Sequence, residues 1–464
     1  MAETVLSPRQ KSLMINLDAS IYGTFAEIGA GQEVVRNFFT AGGASGTIAK
    51  SISAYDMVFS DIIYGKEENG RYVCRSRLVK MLDKEFSLLQ ERLSSVRAED
   101  TRFFAFADTV AAKQYKKDNE SHGWLGVRFQ HQKKAEASQV MLHVRLLDQQ
   151  NLLQQRVLGI LGTNLLHACF FRTENAHDFV HAIMEELDNS QVEIDVIHFE
   201  GPVFKKYDNR LMNLYLVKQG LTDAVMFSKE GQVVLASEVL YKKSLLVLRG
   251  SFRPPTLASV DMLKSGKEEF LKDNKIKEDD LVTLAEIAMS KTSKEEIADE
   301  DLLARITLLC DLEQNVLITN YSEYFRLSSY FARFTPSPVG IILGVYNYKQ
   351  IFEESYYQDI AGGLLESLGR LFRSQVKIYI YPYKEDDGQY TTAQNIVIPE
   401  KYKEISQYLK NNHYVHDIKN FDARYLGIYS RKVLTLMQKG DKTWEAMVPP
   451  VLIEKIKKNS ATFS

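Results

Sequence analysis

Asn315-Val-Leu-Ile-Thr319, Val339-Gly-Ile-Ile-Leu-Gly-Val345 and Val376-Lys-Ile-Tyr-Ile-Tyr381 are three short apolar runs, and the residues around them repeat in threes and fours. Leu302, Ile306, Leu309 and Cys310 mark one helical face. Tyr324, Leu327, Phe331 and Phe334 mark a second, and Leu364, Leu368 and Leu371 a third. Glu366 and Arg370 stand one turn apart on the polar side of that last helix. A strand that is apolar on both sides needs cover on both faces, and amphipathic helices supply it. Asp301 to Tyr383 therefore predicts an α/β fold, a Rossmann-like and mostly parallel sheet with helices on both faces and its three strands side by side.

Upstream, Val192 to Phe199, Ala224 to Phe227 and Ser244 to Arg249 continue the strand pattern, with a helix at Leu211 to Gln219. The intervening span from Lys264 to Glu300 is rich in Lys, Glu and Asp and reads as a charged helical insertion or joint. Nearer the N-terminus three strand-like runs follow one another without long helices: Phe103 to Val110, Trp124 to Gln130 and Val140 to Leu147. That spacing implies a mixed α+β portion. Leu13 to Ile28 reads as a pair of strands, and Gln32 to Phe39 as a short helix ended by Gly42-Gly43. Arg75 to Leu93 is an amphipathic helix and Val157 to Phe171 a buried one. The resulting division is 1–150 mixed α+β, 151–260 an α/β unit, 261–300 the joint, and 301–464 a C-terminal α/β domain.

Charge sets limits on partners. Lys and Arg number 58 against 60 Asp and Glu in 464 residues, so no strong field draws the chain to nucleic acid or an anionic membrane, and neither is expected as a partner. Cys74, Cys169 and Cys310 lie far apart, which fits a reducing compartment better than a disulfide framework. The opening Met-Ala-Glu-Thr-Val-Leu-Ser-Pro shows no secretory leader, and no run approaches the roughly 18 apolar residues of a membrane span. A cytoplasmic location is the expectation.

Several short stretches carry chemistry. Gly42-Gly-Ala-Ser-Gly-Thr-Ile-Ala-Lys50-Ser51 has the look of a phosphate loop, but Ala49 stands where a Walker motif needs glycine. A helix cap and turn is one reading, and a looser anion nest with Lys50 and Ser51 the other. Gly29-Ala-Gly31 opens a helix after a strand-like segment, as dinucleotide folds do, without the third glycine. His177 and His181 are one helical turn apart beside an apolar stripe, and no third metal ligand is identifiable. Asp118-Asn-Glu-Ser-His122-Gly-Trp124 is a polar loop in which His122 is a candidate for proton transfer. In a doubly wound sheet ligands bind beyond the carboxyl ends of the strands. That rule nominates Asn320, Tyr321 and Ser322 after one strand, Tyr346 and Asn347 after another, and Glu200, Gly201, Asn209 and Arg210 in the middle of the chain. Ser322 is also a candidate helix N-cap. His122 and Glu200 are the catalytic candidates; Lys50, Ser51, Asn209, Arg210, Asn320 and Ser322 are the ligand-binding ones. No motif names a cofactor.

Phe25-Ala-Glu-Ile-Gly-Ala-Gly-Gln-Glu33, Phe104-Ala-Phe-Ala-Asp-Thr-Val-Ala-Ala112, His122-Gly-Trp-Leu-Gly-Val-Arg-Phe129, Asp208-Asn-Arg-Leu-Met-Asn213 and Glu238-Val-Leu-Tyr-Lys-Lys243 resemble a family of long bacterial cytosolic proteins. Its members go by nicotinate-nucleotide adenylyltransferase or TonB-dependent receptor. The second name implies a barrel of many alternating strands, which this sequence lacks. The first implies a Gly-x-Phe-x-Pro-x-His-x-x-His turn. The nearest match, Gly162-Thr-Asn-Leu-Leu-His167, is one residue short, has no proline and places Phe170 at the second histidine. Two functions follow. One is binding of a nucleotide or phosphorylated metabolite, with nucleotidyl transfer implied by the resemblance. The other is a non-catalytic scaffold that assembles into a homo-oligomer.

Overall fold

The computed structural model describes residues 5–68, 70–97, 99–113, 120–289, 297–358, 360–373, 375–385 and 387–459. The chain divides into two compact units, Met1–Thr222 and Asp223–Ser464. The joints read from the sequence at 150/151, 260/261 and 300/301 fall inside these units.

The first unit runs α1 (Pro8–Leu17), β1 (Ile21–Gly29), α2 (Glu33–Ala41), β2 (Ile48–Ser53), α3 (Met57–Tyr64), α4 (Arg75–Arg97), β3 (Arg102–Ala111), β4 (His122–Phe129) and β5 (Ser138–Leu146). It continues through α5 (Asn151–Phe171), α6 (Ala176–Ile183), β6 (Val192–Glu200) and α7 (Asn209–Lys218). Its sheet has the order β2-β1-β3-β4-β5-β6. β1 is parallel to both β2 and β3, and the remaining pairs are antiparallel, so the mixed character expected of this region holds. Phe25, Phe104, Phe106, Leu125, Val127 and Phe129 share one core with Leu158, Leu161 and Leu165 of α5. From Val157 to Phe170 that helix is buried on nearly every side, its polar Thr163, Asn164 and His167 included.

One segment differs from expectation, and a second is likewise decided by a cap. Residues 13–17 belong to α1 rather than to a strand, because Ser7 and Gln10 form a reciprocal capping box and Pro8 sits in the first turn. Residues 57–64 form α3, started by the Asp56 side chain accepting from the Phe59 N–H at 2.7 Å. In both cases a cap outweighs short apolar runs that suit strands equally well.

The second unit contains β7 (Ala224–Phe227), β8 (Val233–Val234), α8 (Ala236–Val239), β9 (Ser244–Arg249), α9 (Leu257–Asn274), β10 (Leu281–Ala288), α10 (Asp299–Cys310), β11 (Asn315–Thr319), α11 (Tyr324–Phe331) and β12 (Val339–Gly344). After these come α12 (Val345–Gln350), α13 (Gly363–Leu371), β13 (Val376–Tyr381), a two-strand ribbon of β14 (Tyr383–Lys384) and β15 (Tyr390–Thr391), α14 (Lys403–Asn411) and β16 (Val415–Asp417). Its sheet has the order β16-β13-β12-β9-β10-β11-β7-β8. The six strands from β16 to β11 are all parallel, and β7 and β8 add an antiparallel edge. Starting at β9, the chain lays strands outward on one side, then crosses β9 and lays three more on the other. This is the 3-2-1-4-5-6 order of a doubly wound sheet, with its switch point between β9 and β12.

The predicted α/β class and parallel direction are therefore correct, but the three quoted strands are not contiguous. β12 and β13 are neighbours, whereas β9 and β10 separate them from β11. β10 itself lies within the span read as a charged insertion. Its inner residues Leu284, Ala285, Glu286 and Ile287 are buried, and the charges that disguised it sit on the flanking α9 and turn. Among the described residues no helix is long and apolar enough to cross a membrane.

Candidate functional site

Beyond the carboxyl ends of β9, β10 and β11, beside α12, a crevice of about 300 Å³ opens at the switch point of the second unit. Arg249, Gly250 and Ser251 line it from β9, Ser322 to Tyr324 from the β11 side, and Asn347 and Gln350 from α12. Arg249 is its organising side chain. Nε and Nη2 donate to the two carboxylate oxygens of Glu286 at 2.6 and 3.0 Å, and Nη1 donates to the Ser322 carbonyl at 2.8 Å. The guanidinium carbon lies 4.5 Å from the Tyr324 ring centre. Glu286 is fully buried and also accepts from the Thr319 hydroxyl. One ion pair thus ties β9, β10 and the β11 loop together, a fork-to-fork geometry in which the charges cancel. The crevice wall is consequently polar but not strongly cationic.

The first unit has a switch point of its own, between β1 and β3, where the order 2-1-3 reverses. It is filled. Glu27 and Asp108 are register partners on adjacent parallel strands, and they are 1% and 0% exposed. Both oxygens of Asp108 and Oε1 of Glu27 lack a hydrogen-bond partner among the described residues. Burial pushes Glu27 up to about 7. Burial and then the neighbouring Glu27 charge push Asp108 well above the usual carboxylate range, so the pair holds at least one proton at neutral pH. Gly31 presses on it: a Cβ there would fall 1.9 Å from Asp108 Oδ2. The Gly29-Ala-Gly31 turn does open α2, as read, but its glycines make room for a carboxyl.

On the opposite side of the first sheet, β4, β5 and β6 align three polar side chains. Nδ1 of His143 lies 2.6 Å from Asp195 Oδ1, and Nε2 of His143 lies 3.0 Å from Nδ1 of His122. His143 is 2% exposed, and the Trp124 ring packs against it in an edge contact at 5.0 Å between centres. Burial and then His143 lower the His122 pKa to about 4. Sequence reading singled out His122 and missed its two partners. His143 is one polar residue in an alternating strand, and Asp195 reaches it only through an irregularity in β6.

The other nominated residues scatter. Lys50 lies on the outer strand β2 and pairs with Glu85 at 2.7 Å, while Ser51 is exposed next to it; Gly42 caps α2, so the phosphate-nest reading of this stretch is corrected to helix cap and strand. Glu200, at the end of β6, meets His198 at 2.7 Å and Arg75 at 3.3 Å. Asn209 uses its side-chain amide to bond the Phe199 N–H and carbonyl at 2.8 and 3.0 Å, a structural clamp rather than a ligand contact. Arg210 turns back onto Asp208 at 2.7 Å. His122, Lys50 and Arg210 therefore do not converge on one cleft. Asn320 donates its N–H to the Asp223 carbonyl at 2.9 Å. Ser322 lines the crevice, but Glu323 occupies the N-cap of α11, which corrects the capping reading. His177 stacks on Tyr215 at 4.0 Å, and His181 Nε2 bonds the same phenol at 2.9 Å; no metal-holding group of three His, Cys, Asp or Glu occurs among the described residues.

No family model and no curated protein matches the chain. Solved structures similar to part of it include the competence/damage-inducible protein CihA from Agrobacterium tumefaciens, with 15% identity and a TM-score of 0.22 over 31% of this chain and 83% of that one. A competence-damaged protein (CinA) superfamily protein from Enterobacter cloacae has 12% identity and a TM-score of 0.22, covering 30% and 80%. A competence or damage-inducible protein from Enterobacter asburiae has 11% identity and a TM-score of 0.25, covering 35% and 98%. Likeness at this level bears on neither chemistry nor partner.

Proposed function

We propose that the second unit binds a nucleotide or another phosphorylated metabolite in the crevice between β9 and β12. The observation that carries this reading is the position of an open, polar-walled cavity at the reversal of a 3-2-1-4-5-6 parallel sheet. Arg249 is held rigid by Glu286, so it orients a ligand oxygen more than it supplies net charge. Hydroxyls and amides of Ser251, Ser322, Asn347 and Gln350 suit the sugar or base of such a ligand. Nucleotidyl transfer is the reaction that the family resemblance adds.

A thermal-shift screen of nucleotides and sugar phosphates tests it. A true ligand at 100 times its dissociation constant stabilises the folded state by about 2.7 kcal/mol, and Ser322→Trp, which fills the crevice, removes the shift without lowering the unliganded midpoint. No stabilisation by any compound ends the proposal.

Self-association is a second reading with its own observation. Tyr55, Met57, Val58, Phe59 and Ile62 on and before α3 are each at least half exposed, and the neighbouring β2 is an outer strand. Adjacent apolar exposure of this kind marks interaction surfaces. Sedimentation velocity of the wild type against Phe59→Lys/Ile62→Lys decides it: an assembly that the double variant dissolves supports this reading, and a wild-type monomer removes it.

A further inference from the structure

We propose that the first unit carries a proton-relay site, Asp195–His143–His122, whose outer nitrogen, Nε2 of His122, takes a proton from a water or from the hydroxyl of a small substrate. This site is independent of the crevice in the second unit.

The hydrogen bonds set the direction of the chain. A carboxylate only accepts, so His143 gives Nδ1–H to Asp195, and its Nε2 is left to accept Nδ1–H from His122. His122 Nε2 is then a bare lone pair, with no partner among the described residues. Three adjacent strands are needed to build this, and one of them departs from regularity to do so. His143 opposes Val196 while Val144 opposes Ile194, so Asp195 is the extra residue of a bulge placed opposite the imidazole. A bulge re-aims a side chain at the expense of a ladder hydrogen bond, and such devices gather beside functional sites.

The chain separates the place where a proton arrives from the place where charge rests. When an O–H bond of the substrate breaks, its proton forms a new N–H bond at His122 Nε2 and the electron pair stays on oxygen. The Nδ1–H of His122 passes to Nε2 of His143, so His122 is neutral again and His143 becomes an imidazolium against Asp195. The reverse transfer resets both rings. Burial opposes a charge on His122 itself, and Asp195 offers the inner ring a counter-ion. The surrounding charges agree. Glu120 faces His122, and Arg145, the cation that acts on His122 among the described residues, is engaged by Glu120 at 2.7 Å and by Glu193. Glu120, Glu193 and Asp195 against Arg145 leave a net negative setting, which favours a protonated relay. No hydroxyl or thiol among the described residues bonds either imidazole, so none of these supplies the activated O–H.

Nitrogen-15 NMR of the histidine-labelled full chain tests the proposal. Neutral His122 is expected to carry its proton on Nδ1, and the two rings to share one titration. Asp195→Asn is expected to lower that midpoint by at least one unit, a tenfold loss in proton affinity. Hydrolysis of p-nitrophenyl acetate at pH 7 supplies the second readout, with the wild type at least tenfold faster than His122→Gln. A proton on Nε2 of neutral His122 overturns the relay and requires no variant to fold. Midpoints unmoved by Asp195→Asn, or equal ester hydrolysis by wild type and His122→Gln, also overturn it.

Discussion

Glu27 in the first sheet and Glu286 in the second each lie two residues before the end of a parallel strand, Glu27 at its sheet's switch point and Glu286 one strand away from its own, and each is essentially without exposure. Their solutions to burial are opposite. Glu286 is clamped by the guanidinium of Arg249 and leaves an open crevice beside it. Glu27 has the Ser53 hydroxyl at 3.3 Å, the Val35 N–H and a second carboxyl as neighbours rather than a guanidinium, so burial raises its pKa, and the space is closed by the Gly29-Ala-Gly31 turn. A buried acid is costly unless paired or neutralised. The difference teaches that topology marks where a site can lie, while the partner of the acid decides whether that place is a pocket or a plug.

The contrast is sharpest when each acid loses its device. Arg249→Met strands the Glu286 charge in the core and is expected to cost about 3–5 kcal/mol in urea unfolding; adding Glu286→Gln recovers much of this. An Arg249→Met chain as stable as the wild type would mean that the pair is not what holds β9 to β10. In the first unit the sign reverses. A carboxyl whose folded pKa lies above its unfolded one is most stabilising below the unfolded value, and the benefit is lost as pH rises through the folded value. Stability should therefore fall between about pH 4.5 and about pH 7 by on the order of 3 kcal/mol from Glu27 alone, and Glu27→Gln should flatten that slope and raise the unfolding midpoint at pH 8. A flat wild-type profile would show the pair ionised. Gly31→Ala is the smallest test: its methyl must displace Asp108, and overpacking of this kind costs about 1–3 kcal/mol, read as a lower thermal midpoint.

What the sequence disclosed follows the same divide between periodicity and pairing. α5 and β12 were legible because long or wholly apolar runs admit one period. β10 was hidden: Glu286 interrupts its apolar pattern, and only a residue 37 positions away, Arg249, explains the interruption. α1 was hidden by a cap lying outside the apolar segment. Of the nominated residues, Ser322 lines the crevice where the strand-end rule put it, and His122 contacts the His143–Asp195 pair. Lys50, Asn209 and Arg210 were plausible by type but are bonded to Glu85, the Phe199 backbone and Asp208. Such pairings depend on which strands meet, and short-range spacing does not carry that information. His143 and Asp195 escaped for the same reason.

The bulge in β6 constrains how this protein can vary. Side chains on a strand alternate between faces, and the single supernumerary residue at Asp195 interrupts that alternation, with Ile197 and Phe199 inward after it. Losing that one residue would join Ile194 to Val196 in a regular ladder, leaving Ile197 and Phe199 inward and His198 and Glu200 outward, and removing only the carboxylate opposite His143. A chain one residue shorter at that position therefore keeps its core faces and loses the relay, so the count of residues in β6 bears on the site separately from the fold.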